Sequence, residues 1–265
     1  MKLFVVTSVG FLLAVEALAL KPVYFQQPRA ERRTAHIRQV TTIPSRAARV
    51  GLDLCPTCID FTGQAINTLL NIILNAGVVG TCGELCQLLE QKTGSQALGA
   101  VCDILCDVVG IEEFIKLIEK ADLDPIYFCE LLKVCPIFDN GDAKITMLSV
   151  TPSRGPQGTT FVVDLEFVSK NGTGTGQIDL EILAVDGLPL GDAFLNKQSP
   201  PGTYGLKFNI KAEPDPNCDP TQQECEQWLP GNYVVKVAVC NGECGSAHPH
   251  SKIYDQNSTN FTLTG

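Results

Sequence analysis

The chain has 265 residues, a formal net charge of −9 and twelve cysteines. An acidic body repels phosphate, which excludes nucleic acid as a natural partner. An even cysteine count behind an apolar leader favours disulfides over free thiols or bound metal, and the length holds two small domains.

The chain opens on Met1 and Lys2, runs apolar from 3 to 15 apart from Thr7 and Ser8, and reaches an A-x-A site at Ala17-Leu18-Ala19. That pattern predicts a secretory signal over residues 1–19. Residues 20–50 read as a basic linker or propeptide: Lys21 and six arginines stand against Glu31 alone, with few large apolar residues and a dibasic pair at Arg32-Arg33. The expected destination is extracellular, with the endolysosomal lumen as the alternative.

Residues 51–138 have helical texture. Apolar residues recur at helical spacing in 54–76, 84–91, 96–109, 111–118 and 126–134, and Asp124-Pro125 suits a helix start. The acidic balance concentrates here, with four basic and thirteen acidic side chains between 51 and 139. Residues 61–83 nevertheless contain no charge. Within them Asn67, Asn71 and Asn75 make one polar stripe, and Ile66, Leu69, Leu70, Ile72, Ile73 and Leu74 surround it. This arc is wider than one small core needs. Its lipid-facing candidates are Ile66, Leu69, Leu70, Ile73 and Leu74; a second copy or the chain's own core are the other occupants to consider. Glu112, Glu113, Glu119 and Asp122 are candidates for an acid-dependent approach to anionic lipid.

Eight cysteines fall in this half, and eight allow 105 pairings in general. Joining outermost to outermost gives Cys55–Cys135, Cys58–Cys129, Cys82–Cys106 and Cys86–Cys102, whose midpoints all lie within a residue or so of position 94. A hairpin folded at Gly94-Ser95 has that property. Cys82 and Cys86 share one helical face, as do Cys102 and Cys106.

The opening Cys55-Pro-Thr-Cys58 and the ending Asp124-Pro-Ile-Tyr-Phe-Cys129-Glu-Leu-Leu-Lys-Val-Cys135 resemble the saposin-like family. The resemblance implies a compact helical domain that binds lipid or perturbs membranes, with six cysteines paired first to sixth, second to fifth and third to fourth. This chain departs by a fourth bridge in the central hairpin. A module of this kind followed by a β-rich tail in a secreted chain also resembles the countin family, secreted cell-counting proteins of social amoebae.

From about residue 143 the period changes to two. Candidate strands are 144–150, 160–168, 177–185, 204–211, 233–240 and 260–264, with Phe138–Asp142 as a hinge before them. Pro200-Pro-Gly-Thr-Tyr204 and Leu229-Pro-Gly-Asn-Tyr233 echo each other, each a Pro-Gly turn leading into an alternating strand. The expected fold class is an all-α, disulfide-stapled saposin-like domain over 51–138, then an all-β immunoglobulin-like sandwich over 143–265. Local pairs Cys218–Cys225 and Cys240–Cys244 are the first choice, with long-range pairing as the alternative. Cys240-x3-Cys244-x3-His248-x-His250 has zinc-like spacing, but an oxidising compartment directs the thiols to a disulfide, so no metal or cofactor is expected. Sequons stand at Asn171, Asn257 and Asn260.

No nucleophile elbow, P-loop or dinucleotide-binding glycine pattern occurs, so a non-enzyme is expected. The main functional expectation is a secreted lipid- or membrane-interacting protein. The alternative is an extracellular signalling or assembly subunit, acting as a homodimer or in an extracellular protein complex.

Overall fold

The computed structural model describes residues 37–40, 54–75, 80–121, 124–216, 218–219, 221 and 225–265. The expected signal at 1–19, the basic arm apart from 37–40, the Arg32-Arg33 pair and Asp122 lie outside the described residues. Among the described residues the chain forms, in order, β1 (Ile37–Gln39), α1 (Leu54–Asn75), α2 (Cys82–Thr93), α3 (Gln96–Val109), α4 (Ile111–Ala121) and α5 (Pro125–Leu131). Then follow β2 (Lys144–Thr151), β3 (Arg154–Pro156), β4 (Thr160–Ser169), β5 (Gly176–Leu183), β6 (Pro189–Asn196), β7 (Gly202–Lys211), β8 (Gly231–Asn241) and β9 (Lys252–Thr264).

The expected fold class is corrected here. The described chain is a mixed fold of five helices and nine strands in two sheets, not an all-α saposin-like domain followed by an all-β immunoglobulin-like sandwich. The sheets run β1-β7-β4-β2 and β3-β9-β8-β5-β6. The first takes its edge strand from upstream of every helix: Ile37, Arg38 and Gln39 pair antiparallel with Ile210, Asn209 and Phe208 of β7. The second sheet ends in a parallel pair, β3 with β9. The helices are therefore inserted between a first strand and the remaining eight.

Helix ends follow local chemistry. Thr81 caps α2 by accepting from the Glu84 N–H at 3.2 Å, and the Glu84 carboxylate reaches back to the Gly80 N–H at 3.0 Å. That reciprocal pair satisfies two otherwise orphaned donors. Gly94 ends α2 at φ 70°, a left-handed position that glycine takes without steric cost, and Ser95 immediately caps α3. Asp124 caps α5, its Oδ1 accepting from the Tyr127 N–H at 2.9 Å with Pro125 in the first turn. On α1 the buried residues Cys58, Phe61, Ala65, Ile66, Leu69 and Ile72 recur at three and four, the inward face of an amphipathic helix.

The inward residues of both sheets form one apolar core. Phe161, Val163, Leu165 and Phe167 of β4 alternate into it, as do Tyr233, Val235, Val237 and Val239 of β8. A column of rings crosses it: Trp228 lies 5.4 Å from Tyr233, Tyr233 5.2 Å from Phe261, and Phe261 4.1 Å from Phe161. The two echoed segments share one device. The Tyr233 hydroxyl donates to the Leu229 carbonyl at 2.9 Å, and the Tyr204 hydroxyl donates to the Pro200 carbonyl, each four residues upstream.

These contacts separate two magnitudes. Phe261→Ala opens a cavity in the ring column and is expected to cost about 3–5 kcal/mol. Tyr233→Phe keeps the ring and loses the hydroxyl's bond to Leu229, about 1 kcal/mol. Chemical denaturation of both variants measures the difference. A Tyr233→Phe loss as large as that of Phe261→Ala would contradict the reading that ring packing, more than the hydroxyl, carries this part of the core.

Candidate functional site

The twelve cysteines form six disulfides: Cys55–Cys135, Cys58–Cys129, Cys82–Cys106, Cys86–Cys102, Cys218–Cys225 and Cys240–Cys244. The first two hold α5 and the segment after it against the start of α1. The next two cross-link α2 to α3 at successive turns. Cys102 and Cys106 thereby fix the inward face of α3. Residues on the other side of that helix must point outward, and Ala97, Ala100, Ile104 and Val108 make one exposed stripe there. Ile104 is 52% and Val108 54% exposed, large values for branched aliphatic side chains. Asp103 and Asp107 flank the stripe on one side.

The uncharged arc on α1 divides differently from expectation. Ile66 and Leu69 are buried in the helical core together with Ile72, so they are corrected from lipid-facing candidates to packing residues. Leu70 and Ile73 are half-buried and packed on the same core. Leu74 alone of the five candidates is exposed, at 77%. The surplus that motivated lipid contact is thus largely spent inside the helical body. The asparagine stripe is exposed and bonds along the helix: the Asn71 amide donates to the Asn67 carbonyl at 2.9 Å, and the Asn75 amide to the Asn71 carbonyl at 2.7 Å.

The helical and sheet parts meet through α5. Its N-cap residue Asp124 accepts through Oδ2 from the Ser246 hydroxyl at 2.8 Å. The Tyr127 ring stacks on the His248 ring, centroids 4.5 Å apart and 12° from parallel. Just beyond α5, Asp139 Oδ1 lies 2.8 Å from His250 Nδ1. The loop carrying these partners follows the Cys240–Cys244 bridge and is braced by the Asn241 amide, which donates to the His250 carbonyl at 2.7 Å. The bridge occupies both thiols of the zinc-like spacing, and His248 and His250 turn instead toward α5 and Asp139. Sequence reasoning missed this junction and the α3 stripe. The cysteines at 102 and 106 were a signal for the stripe; nothing local signalled a contact between residues 127 and 248.

Glu130 of α5 is buried in the junction, and its Oε1 has no hydrogen-bond partner. Burial pushes its carboxyl up to about 7; His250 pulls it down, while Asp124 and Asp139 push it further up. The segment expected as a hinge is tied down at its far end as well. Asp142 Oδ1 accepts from the Asn171 N–H at 2.8 Å, the Lys170 N–H at 2.9 Å and the Ser169 hydroxyl at 2.9 Å. The Asn171 bond leads in holding that carboxyl below the usual carboxylate range.

The three sequon asparagines are exposed: Asn171 in the turn after β4, Asn257 and Asn260 on β9. Asn257 lies on the rim of a shallow depression of about 590 Å³ whose polar lining includes Asp179, Glu181, Lys236, Gln256 and Ser258. No cluster of three or more metal-ligating side chains occurs among the described residues.

Comparison with known proteins places both halves together. The countin N-terminal domain matches residues 53–133 and the countin C-terminal domain matches residues 143–265. Countin-1 of Dictyostelium discoideum is 42% identical over 214 residues, covering 81% of this chain and 79% of its own. Countin-3 of the same organism is 36% identical over 209 residues, covering 79% of this chain and 89% of its own. Countin-2 is 35% identical over 220 residues, covering 82% and 81%.

The division of the α1 arc is directly testable. Leu69→Asp places an unpaired carboxylate in the core and is expected to abolish secretion or cost several kcal/mol. Leu74→Asp, further along the same helix at a 77% exposed position, is expected to change stability by no more than about 0.5 kcal/mol. Secreted yield and helical circular dichroism report both. Equal damage from the two substitutions would place Leu74 in a packed interior and contradict this assignment.

Proposed function

Because the chain belongs to the countin family, we propose that it is a secreted, non-catalytic subunit that acts outside the cell through contacts with other proteins. The observation that carries this reading is the match of both halves, in order, to countin domains, with 42% identity to Countin-1 across 81% of the chain. Six disulfides are consistent with an oxidising compartment. A rigid body with a narrow exposed apolar stripe suits protein association, because cross-linked helices present side chains without further ordering cost.

The stripe on α3 is the contact surface in this reading. Ile104 and Val108 supply its apolar centre; Asp103 and Asp107 supply an acidic margin that favours a partner with basic residues opposite. The lipid reading lacks comparable support, since Ile66 and Leu69 face the core. Among the described residues no helix is long and apolar enough to cross a membrane.

The test is a double substitution, Ile104→Asp with Val108→Asp, in protein secreted into culture medium. Light scattering behind size-exclusion chromatography is expected to give the unmodified protein a mass above that of one chain. The double variant is expected to fall to a single-chain mass with unchanged helical circular dichroism. An unmodified protein that stays a single chain and co-sediments with liposomes would overturn the proposal.

A further inference from the structure

We infer that the contact between α5 and the 244–251 loop is an acid-responsive clasp, holding the helical body on the sheets in acid and releasing it towards alkaline pH. Three contacts make the junction, each with a titratable side chain, and a buried carboxyl lies beside them. Asp139 faces His250 at 2.8 Å, Tyr127 stacks on His248 at 4.5 Å, and Ser246 donates to Asp124 at 2.8 Å. The buried carboxyl is that of Glu130, with one oxygen unpartnered. Both histidines of the described residues sit in this one loop, His248 against Tyr127 of α5 and His250 against Asp139.

Both sides of the clasp are rigid. Two disulfides pin α5 and the segment after it to α1, and the loop is bounded by the Cys240–Cys244 bridge. A change in charge at the contact therefore cannot be absorbed by rearranging either side, and it falls on the contact itself.

The charged and titratable groups bearing on Glu130 are His250 from the loop, Asp124 from the start of α5 and Asp139 from the segment after it. In acid, Glu130 is neutral and suits its burial, while the 2.8 Å contact between Asp139 Oδ1 and His250 Nδ1 holds the loop to the segment after α5. At alkaline pH, a third carboxylate joins Asp124 and Asp139 in the junction, and one of its oxygens has no donor. Opening the clasp then rehydrates Glu130. Its carboxyl lies near 7 in the closed form against an ordinary 4.5, so closure holds a proton that the open form gives up between those values. The stabilisation is complete below about 4.5 and is lost as pH rises through about 7.

Hydrogen exchange read by mass spectrometry at pH 5 and pH 8, corrected for intrinsic rates, tests the clasp on the intact secreted chain. Amides of 136–142 and 244–251 are expected to exchange roughly tenfold more slowly at pH 5, while amides of α3 and β4 stay unchanged. Glu130→Gln is expected to protect both segments equally at the two pH values. Asp139→Asn, at an exposed position and therefore safe for folding, is expected to lose protection at pH 5. Equal protection of the unmodified protein at both pH values would overturn the inference. So would a Glu130→Gln protein that keeps the full difference, or an Asp139→Asn protein that exchanges at pH 5 as the unmodified one does.

Discussion

Two bridges between α1 and α5 constrain everything else. Cys55–Cys135 and Cys58–Cys129 close loops of 80 and 71 residues. In the chain-entropy account, a bridge across a loop of that size stabilises by about 4 kcal/mol. More important than the energy is the placement. With its inner face fixed to α1, the short helix α5 presents Asp124 and Tyr127 outward in one orientation. The 244–251 loop meets them there. A helix of seven residues has no independent stability in water, so without the bridges this face would not exist.

The sheets depend on the same logic of fixed ends. Asp142 gathers three donors from the turn after β4, and Tyr254 accepts from the Gly174 N–H at 3.1 Å. The connection from α5 to β2 is thus tied at Asp139 and again at Asp142. Thr175 at the start of the second sheet approaches the Cys55 sulfur at 3.9 Å, bringing the start of α1 to the same junction. Among the described residues, hydrogen bonds and one ring stack cross the boundary between the two parts of the chain. Such a boundary responds to charge more readily than a packed core does.

Much of the local structure was legible in the sequence, and the reasons are physical. The helical period around Cys82, Cys86, Cys102 and Cys106 and the alternating period of 160–168 are set by nearest neighbours along one element. The disulfides present in the helical part are those whose midpoints coincide near residue 94. What was illegible depends on distant residues. Ile37–Gln39 is a three-residue strand only because β7 offers an open edge to it, so these three residues of the stretch read as linker pair with a sheet. The β6 segment, Pro189-Leu-Gly-Asp-Ala-Phe-Leu-Asn, carries Pro, Gly and Asp, which mask its pairing with β5. The α1 arc was over-read because periodicity shows how wide an apolar face is but not how many neighbours cover it. Leu69 and Leu74 look alike in sequence, yet one is fully enclosed and the other is 77% exposed.

α5 joins the helical part to the sheets through the 244–251 loop. Nuclear Overhauser contacts between the Tyr127 and His248 rings, recorded at pH 5 on the intact chain, test it most directly. Rings stacked with centroids 4.5 Å apart predict strong cross-peaks between their protons. Well-dispersed signals from both folded parts with no cross-peak between these two rings would contradict that junction.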